Sequence, residues 1–368
     1  MKKESDKIIL FTSIDYPGYG GAATNTYALI KYFLNSGFKT YGIFFVDSEV
    51  NVDPDNLGNI IKLPHIPKQN NGNEILLIKY KNILNNLIKK DPDIILNKDY
   101  ITPVYSHMLY PKIKNIYLVA GIPYFNIYPQ LSVNSILKSN HLHKTMKLFK
   151  EELLAIESSD LIVTNSELTL NIFKKIYQNN KEVTKKIYPN PIDTSKHITC
   201  LINNTVSVQN KEYDFLIVAS LLDRKEKNNI FLINILKDIK FNKYTKIVIG
   251  KNNSLFRSIP NVIVHDILPH NKVMDIMAKS KVLLYPSLFD SNPNSVREAL
   301  QNKCLILLSN NVGFQERFPK FSVCYTFEKN EWIKKSLYLV ANYYKLITKY
   351  YISYDLKEDM LDFINKIM

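Results

Sequence analysis

VLLYPSLFDSNPNSVREALQNKCLILL (residues 282–308) sets two apolar runs on either side of a short helical pattern. Val282 to Tyr285 and Cys304 to Leu308 read as buried strands, each a short continuous apolar run bounded by turn residues. Between them, Pro286 to Asn292 reads as a loop and Ser295 to Gln301 as a helix, with Asn292 placed to cap it and Pro293 at its first position. Strand, helix and strand in such close succession make a βαβ crossover, which joins parallel strands.

The same alternation continues outward in both directions. Asp214 to Ser220, Lys246 to Gly250 and Asn261 to Val264 read as strands, with helices at Asn229 to Ile239 and Asn271 to Ala278. Nearer the start, strands are expected at Lys7 to Ile14, Lys39 to Phe45, Ile94 to Leu96, Ile116 to Ala120 and Leu161 to Thr164. Helical spacing falls between them at Ala22 to Leu34, Ile75 to Lys90, Lys144 to Ser158 and Glu167 to Tyr177. Repeated βα alternation predicts an α/β protein with parallel sheets. The periodicity lapses over the polar residues 194–212, the expected junction. The expected plan is a Rossmann-like domain over 1–193, a second over 213–345, and a C-terminal helix within 346–368 packing back on the first. Ligands are expected in a cleft beyond the carboxyl ends of the strands.

Composition narrows the class. The chain has 368 residues, 46% hydrophobic and 22% charged, the balance of a globular protein with room for two domains. Cys200, Cys304 and Cys324 show no metal-ligand or disulfide spacing. The polar N-terminus MKKESDKIIL does not read as a signal peptide, and no apolar run is long enough to span a membrane, so a cytoplasmic protein is expected. The net charge of +14 favours anionic partners, but the only arginines are Arg224, Arg257, Arg297 and Arg317. The lysine excess accompanies abundant Asn, Ile and Tyr, a coding bias rather than an arginine-rich nucleic-acid motif.

Glycine is scarce, ten in all, yet Gly18, Gly20 and Gly21 cluster between the first strand and the first helix. Backbone N–H groups and a helix N-terminus at that point suit a phosphate, although a plain tight turn reads the same way. In the 282–308 stretch, Asp290 precedes the helix and Glu298 lies within it, and the N–H groups of Asn294, Ser295 and Val296 are available to an anion. A capped surface helix with incidental acids is the plainer alternative. Asp53-Pro-Asp55 and Asp91-Pro-Asp93 have the outline of a metal-binding DxD, but their setting reads as turns.

The stretch resembles the donor-site motif of the retaining glycosyltransferases of family 4, which runs roughly P-S-x-x-E-G-x-P-x-x-x-x-E-A. Pro286-Ser287, Asp290, Pro293 and Glu298-Ala299 stand in that register, with Asp for the first Glu. Tyr16 to Gly21, Asp91-Pro92-Asp93, Ser159 to Ser166, Pro189 to Asp193, Val218 to Lys227, Val248 to Gly250 and Val312-Gly313 with Glu316 are similar to further family segments, in order, across about residues 8–320. The resemblance implies a GT-B fold and metal-independent transfer with retention from a nucleotide-sugar, UDP- or GDP-linked, which is a substrate and not a cofactor. It implies that Asp290 contacts hydroxyls of the transferred sugar and Glu298 the ribose, with Gly20, Gly21, Gly250, Asn292, Asn294 and Ser295 around the donor. Lys227 matches the lysine that neutralises the leaving diphosphate. The arginine expected five residues earlier is Leu222, leaving Arg224 nearest.

The implied acceptor is a hydroxyl of a glycan, glycolipid or protein, without nucleic acid. The Lys144 to Lys150 face could also touch an acidic membrane, although a solvated face of a packed helix has the same pattern. Rival readings are a GT-B relative that epimerises or phosphorolyses sugars, a nucleotide-sugar binder without turnover, and a basic nucleic-acid binder.

Overall fold

A computed structural model of the chain describes residues 6–17, 21–47, 49–66, 73–122, 142–192, 210–347 and 360–368, which form two compact α/β units. The first unit contains β1 (Ile8–Ser13), α1 (Gly21–Asn35), β2 (Lys39–Phe45), β3 (Ile60–Leu63), α2 (Asn73–Ile88), β4 (Ile94–Asn97) and α3 (Thr102–Leu109). It continues through β5 (Lys114–Val119), α4 (Leu142–Glu157), β6 (Leu161–Thr164), α5 (Glu167–Ile176) and α6 (Lys181–Lys186). The strands pair in the order β3-β2-β1-β4-β5-β6, all parallel.

The second unit contains β7 (Tyr213–Leu221), α7 (Asn229–Leu236), β8 (Lys246–Lys251), β9 (Val262–His265), α8 (His270–Ala278) and β10 (Ser280–Tyr285). After these come α9 (Asn294–Gln301), β11 (Leu305–Ser309), β12 (Val323–Cys324), α10 (Lys329–Ala341) and α11 (Tyr343–Ile347). Its sheet has the order β12-β11-β10-β7-β8-β9, again parallel throughout.

Strands buried on both faces explain why the apolar runs are continuous rather than alternating. In β1, Ile9 and Phe11 face one core with Ile30 and Phe33 of α1, while Ile8 and Leu10 face a second core with Leu84 of α2 and Leu109 of α3. In the second unit, Val282 and Leu284 pack with Trp332 of α10, whereas Leu283 and Tyr285 pack with Met277 of α8 and Val296 of α9. Each fully buried Leu or Ile contributes roughly 1.5–3 kcal/mol. The last helix, α12 (Met360–Ile367), belongs to the first unit and seats Met360, Phe363 and Ile364 against Phe11, Leu96 and Ile116. The second unit's chain runs on through α11, where Leu346 is buried.

Several elements lie outside the sequence reading. β3 is a four-residue edge strand, mostly half-buried, and β12 has two residues. α3 starts where the Asp99 carboxylate accepts bonds from the N–H groups of Ile101 and Thr102, at 2.8 and 2.9 Å, which supplies a cap without a recognisable cap motif. α9 begins one residue earlier than expected, with Pro293 at the N-cap position and no side chain capping it. Asn292 is therefore not the cap. Its Oδ1 instead accepts from Nε of the buried Arg297 at 2.7 Å. Asp53, Asp55, Asp91 and Asp93 are taken up in turns: Asp53 accepts from Tyr27, Leu57 and Gly58, and Asp93 from the Ile8 amide, while Asp55 pairs with Lys31 and Asp91 with Lys81. Among the described residues, no helix is long and apolar enough to cross a membrane.

Candidate active site

Arg224, Lys227, Asp290 and Asn292 lie just beyond the carboxyl ends of β7 and β10, neighbours in the second unit's sheet. After β7 the chain makes one 3-10 turn, Lys225–Lys227, and leaves it through Asn228 in the left-handed region (φ 54°), a conformation that Asn tolerates better than most residues. After β10 comes the Pro286 loop. The two loops are stitched together, because the Glu226 carbonyl accepts from the Leu288 amide at 2.7 Å and from Ser287 Oγ at 2.8 Å. Asp290 is fixed from the other side by the β11 loop: its amide donates to the Asn311 carbonyl at 3.2 Å and its carbonyl accepts from the Gly313 amide at 2.7 Å.

This framework brings Lys227 and Asp290 into contact. Lys227 Nζ donates to Asp290 Oδ2 at 2.7 Å and to the Tyr285 hydroxyl at 2.8 Å, and that hydroxyl donates to the same Oδ2 at 2.6 Å. The result is a closed triangle of three polar atoms. The Lys227 and Asp290 side chains keep 18% and 19% exposure, enough for a ligand to reach them. An ammonium has three protons, and among the described residues only two acceptors meet this one, so one N–H is left over. Among the described residues, Asp290 Oδ1 accepts only the 3.3 Å bond from the Asn292 amide.

Electrostatics fix the charge states. Burial alone would push the Asp290 carboxyl up, but the Lys227 ammonium beside it, with the Tyr285 hydroxyl and the Asn292 amide, holds it below the usual carboxylate range. Burial opposes the Lys227 charge, and Asp290 with Tyr285 overcomes it and raises the ammonium above its ordinary value. Burial and the adjoining carboxylate push the Tyr285 hydroxyl up, so it stays protonated. The pair is ionised at neutral pH, with Tyr285 a neutral donor between its members.

The other expected residues divide. Arg224 stands at the head of the 3-10 turn, half-exposed, its Nε ion-paired with the buried Glu226. Asn294, Ser295 and Glu298 are half-buried on α9, and the Glu298 carbonyl holds Asn302 Nδ2 at 2.7 Å. Gly250, the last residue but one of β8, has φ 147°, and an added Cβ would lie 1.9 Å from the Ala219 carbonyl oxygen; close backbone packing alone requires glycine there. Gly21 opens α1, and Gly20 lies outside the described residues, as do the side chains of 144–149. The residue that the sequence reading used only as a strand end is Tyr285. Its signal was available, since a tyrosine at the last position of a central strand, five residues before the acid, places a hydroxyl at the rim where ligands bind.

Phe314 follows Gly313 in the loop that holds Asp290. It sits beside Gly313 in the left-handed region (φ 67°), costly for a bulky side chain, with its ring 4.3 Å from the Arg297 guanidinium and 5.2 Å from that of Arg317. Strain of this kind collects at functional loops, here the loop whose Gly313 amide holds Asp290.

No known family's sequence profile matches the chain, and no curated protein matches it by sequence. Solved structures do match. The lipopolysaccharide outer core galactosyltransferase WaaB, in its apo form, is 17% identical, with a TM-score of 0.64 over 98% of this chain and 99% of that one. WaaG, a glycosyltransferase involved in lipopolysaccharide biosynthesis, is 16% identical, with a TM-score of 0.61 over 95% of this chain and 96% of its own. Anabaena Alr3699/HepE in complex with UDP is 12% identical, with a TM-score of 0.65 over 98% and 100%. At such identities the likeness bears on the fold. The two six-stranded parallel sheets with flanking helices are those of GT-B proteins.

Proposed function

We propose that the protein is a glycosyltransferase that moves a sugar from a nucleotide-sugar to a hydroxyl acceptor. The observation that carries this reading is the Lys227–Tyr285–Asp290 triangle at the carboxyl ends of β7 and β10. When a glycosidic bond to a nucleoside diphosphate breaks, negative charge develops on the leaving phosphate, and a fixed cation is worth most where water is sparse. Lys227 is such a cation, and its remaining N–H would meet the phosphate. Asp290 Oδ1 would accept from a hydroxyl of the transferred sugar. Glu298 is assigned to the ribose, Asn294, Ser295 and Gly21 to the donor, and Arg224 to a supporting charge.

The finer reading follows the sequence resemblance. Transfer proceeds with retention, by front-face attack of the acceptor hydroxyl, and without a metal. The donor is UDP- or GDP-linked, and the acceptor is a glycan, glycolipid or protein. The setting is cytoplasmic, with peripheral contact to an acidic membrane where the acceptor is a lipid. HepE was solved with UDP bound, which supports beginning with that nucleotide.

The test is a thermal-shift screen against nucleoside diphosphates and nucleotide-sugars with and without EDTA, followed by nuclear magnetic resonance of the product anomer. A ligand at one hundred times its dissociation constant stabilises by ~2.7 kcal/mol, an easily read shift. A shift selective for one nucleotide and indifferent to EDTA, with a retained anomer, is the expected result. A flat screen, or an inverted product, overturns the reading.

A further inference from the structure

We infer that Tyr285 is a positioning residue of the donor site, acting through Lys227 and Asp290 rather than on the substrate. This rests on the glycosyltransferase reading above and adds to it a residue that the sequence resemblance does not assign.

Lys227 sits on a flexible four-carbon stem, and a lone ion pair leaves the ammonium free to rotate and the carboxylate free to swing about its last torsion. Tyr285 removes both freedoms. Its ring is only 5% exposed at the end of β10 and packs with Leu283 and Val296, so the hydroxyl has a fixed place. That hydroxyl accepts from Lys227 at 2.8 Å and donates to Asp290 at 2.6 Å, using both of its capacities. Lys227 and Tyr285 both donate to Asp290 Oδ2, so Oδ1 carries the long bond from the Asn292 amide and one Lys227 proton stays outside the triangle.

When a diphosphate draws Lys227 towards itself, Asp290 loses part of its counter-charge in a largely buried place. The Tyr285 hydroxyl then continues to satisfy the carboxylate, so the exchange of partners costs less than leaving the charge bare. The hydroxyl thus serves the bound and the empty site in different ways, and its removal should be felt by the ligand.

Calorimetric titration of UDP, GDP and ADP into the full chain tests this, with the tightest-binding diphosphate used as probe. Y285F should weaken that probe about tenfold, the scale of one hydrogen bond to a charged group. On a K227M background, where no cation remains to be steered, the same change should weaken it less than about twofold. If K227M does not fold, D290N serves as the second background and should likewise shrink the effect. An equal loss on both backgrounds, or an unchanged Y285F affinity, overturns the inference while leaving the donor site intact. Binding of none of the three diphosphates by the unsubstituted protein overturns the donor site itself, and the role of Tyr285 with it.

Discussion

Lys227 and Asp290 are 63 residues apart in sequence, yet the ammonium and the carboxylate oxygen lie 2.7 Å apart. The contact exists because β7 and β10 are neighbours in the sheet, and each loop leaves the same end. It is mostly buried, and a buried ion pair is costly to break from one side: the partner left behind is a charge without compensation. K227M and D290N should therefore each lower stability by about 3 kcal/mol, near the low end for buried pairs because a fifth of each side chain remains exposed. The K227M/D290N double variant should lose less than the sum, which urea denaturation of the three variants would read.

The same pair fixes a pH window. Asp290 titrates below its unfolded value of 3.8, so its contribution is present above that pH and is lost as pH falls through the lower folded value. Lys227 titrates above 10.5, so its contribution is complete below that pH and disappears only as pH rises through the higher folded value. Between about pH 4 and 10 the pair should be indifferent to pH, and D290N should flatten the acid limb of the stability curve. An unchanged acid limb would mean that another carboxylate governs it.

Glu152 of α4 behaves in the opposite way. It is 3% exposed, Tyr177 donates to its Oε2 at 2.9 Å, and among the described residues its Oε1 has no hydrogen-bond partner. Burial pushes the carboxyl up from 4.5 to about 7, against the hydroxyls of Tyr177 and Tyr117, which pull it down. The native state thus holds this proton more tightly than the unfolded chain, and stability falls as pH rises from about 4.5 through about 7. E152Q should remove that slope, matching the unsubstituted protein at pH 4 and exceeding it at pH 8 by up to about 3 kcal/mol. Parallel melting curves for the two proteins across this range would refute it.

Gly250 separates packing from ligand binding. Gly250→Ala would force a Cβ to within 1.9 Å of the Ala219 carbonyl oxygen, a backbone atom that cannot turn aside, so the loss should be about 3 kcal/mol or more. Gly58 has φ 74° with nothing near its missing Cβ, and Gly58→Ala should cost only the left-handed penalty of about 1–2 kcal/mol. Thermal melting of the two variants, without any ligand, distinguishes them. A stable Gly250→Ala protein would show that backbone packing alone does not require glycine there.

Much of this was legible in the sequence, for identifiable reasons. Both sheets show as continuous apolar runs, because parallel strands are buried on both faces and the pattern needs no partner to be read. Asp290 and Lys227 could be placed because each stands in a motif of fixed spacing after a strand. Their contact could not be seen, since it depends on β7 and β10 being neighbours, which is a property of strand order. Tyr285 was hidden by its own chemistry: a tyrosine in an apolar run counts as core, and its ring is indeed core, while only the hydroxyl reaches the site. The left-handed residue after α9 is Lys303 (φ 55°), whereas Asn302, at φ −90°, holds the Glu298 carbonyl. A reading that looks for glycine at such a turn passes over a lysine that takes the same conformation.

Within the proposed donor site, Glu298 and Lys227 have separable roles. Glu298 lies on α9, beyond the triangle, and its assigned partner is the ribose, which is unchanged when the sugar–phosphate bond breaks. Losing such a contact weakens ground state and transition state alike, so E298A should raise the donor KM and leave kcat nearly unchanged. In the proposed reaction Lys227 would face the charge that grows as the bond breaks, and a group matched to developing charge acts on kcat. K227A should lower turnover by about a hundredfold or more, the scale of one fixed electrostatic contact, with a smaller change in KM. Steady-state kinetics with the donor found in the ligand screen read both effects. Near-unsubstituted kinetics for the two variants would remove both residues from the donor site, and a kcat loss in E298A matching that of K227A would place the carboxylate against the reacting bond instead of the ribose.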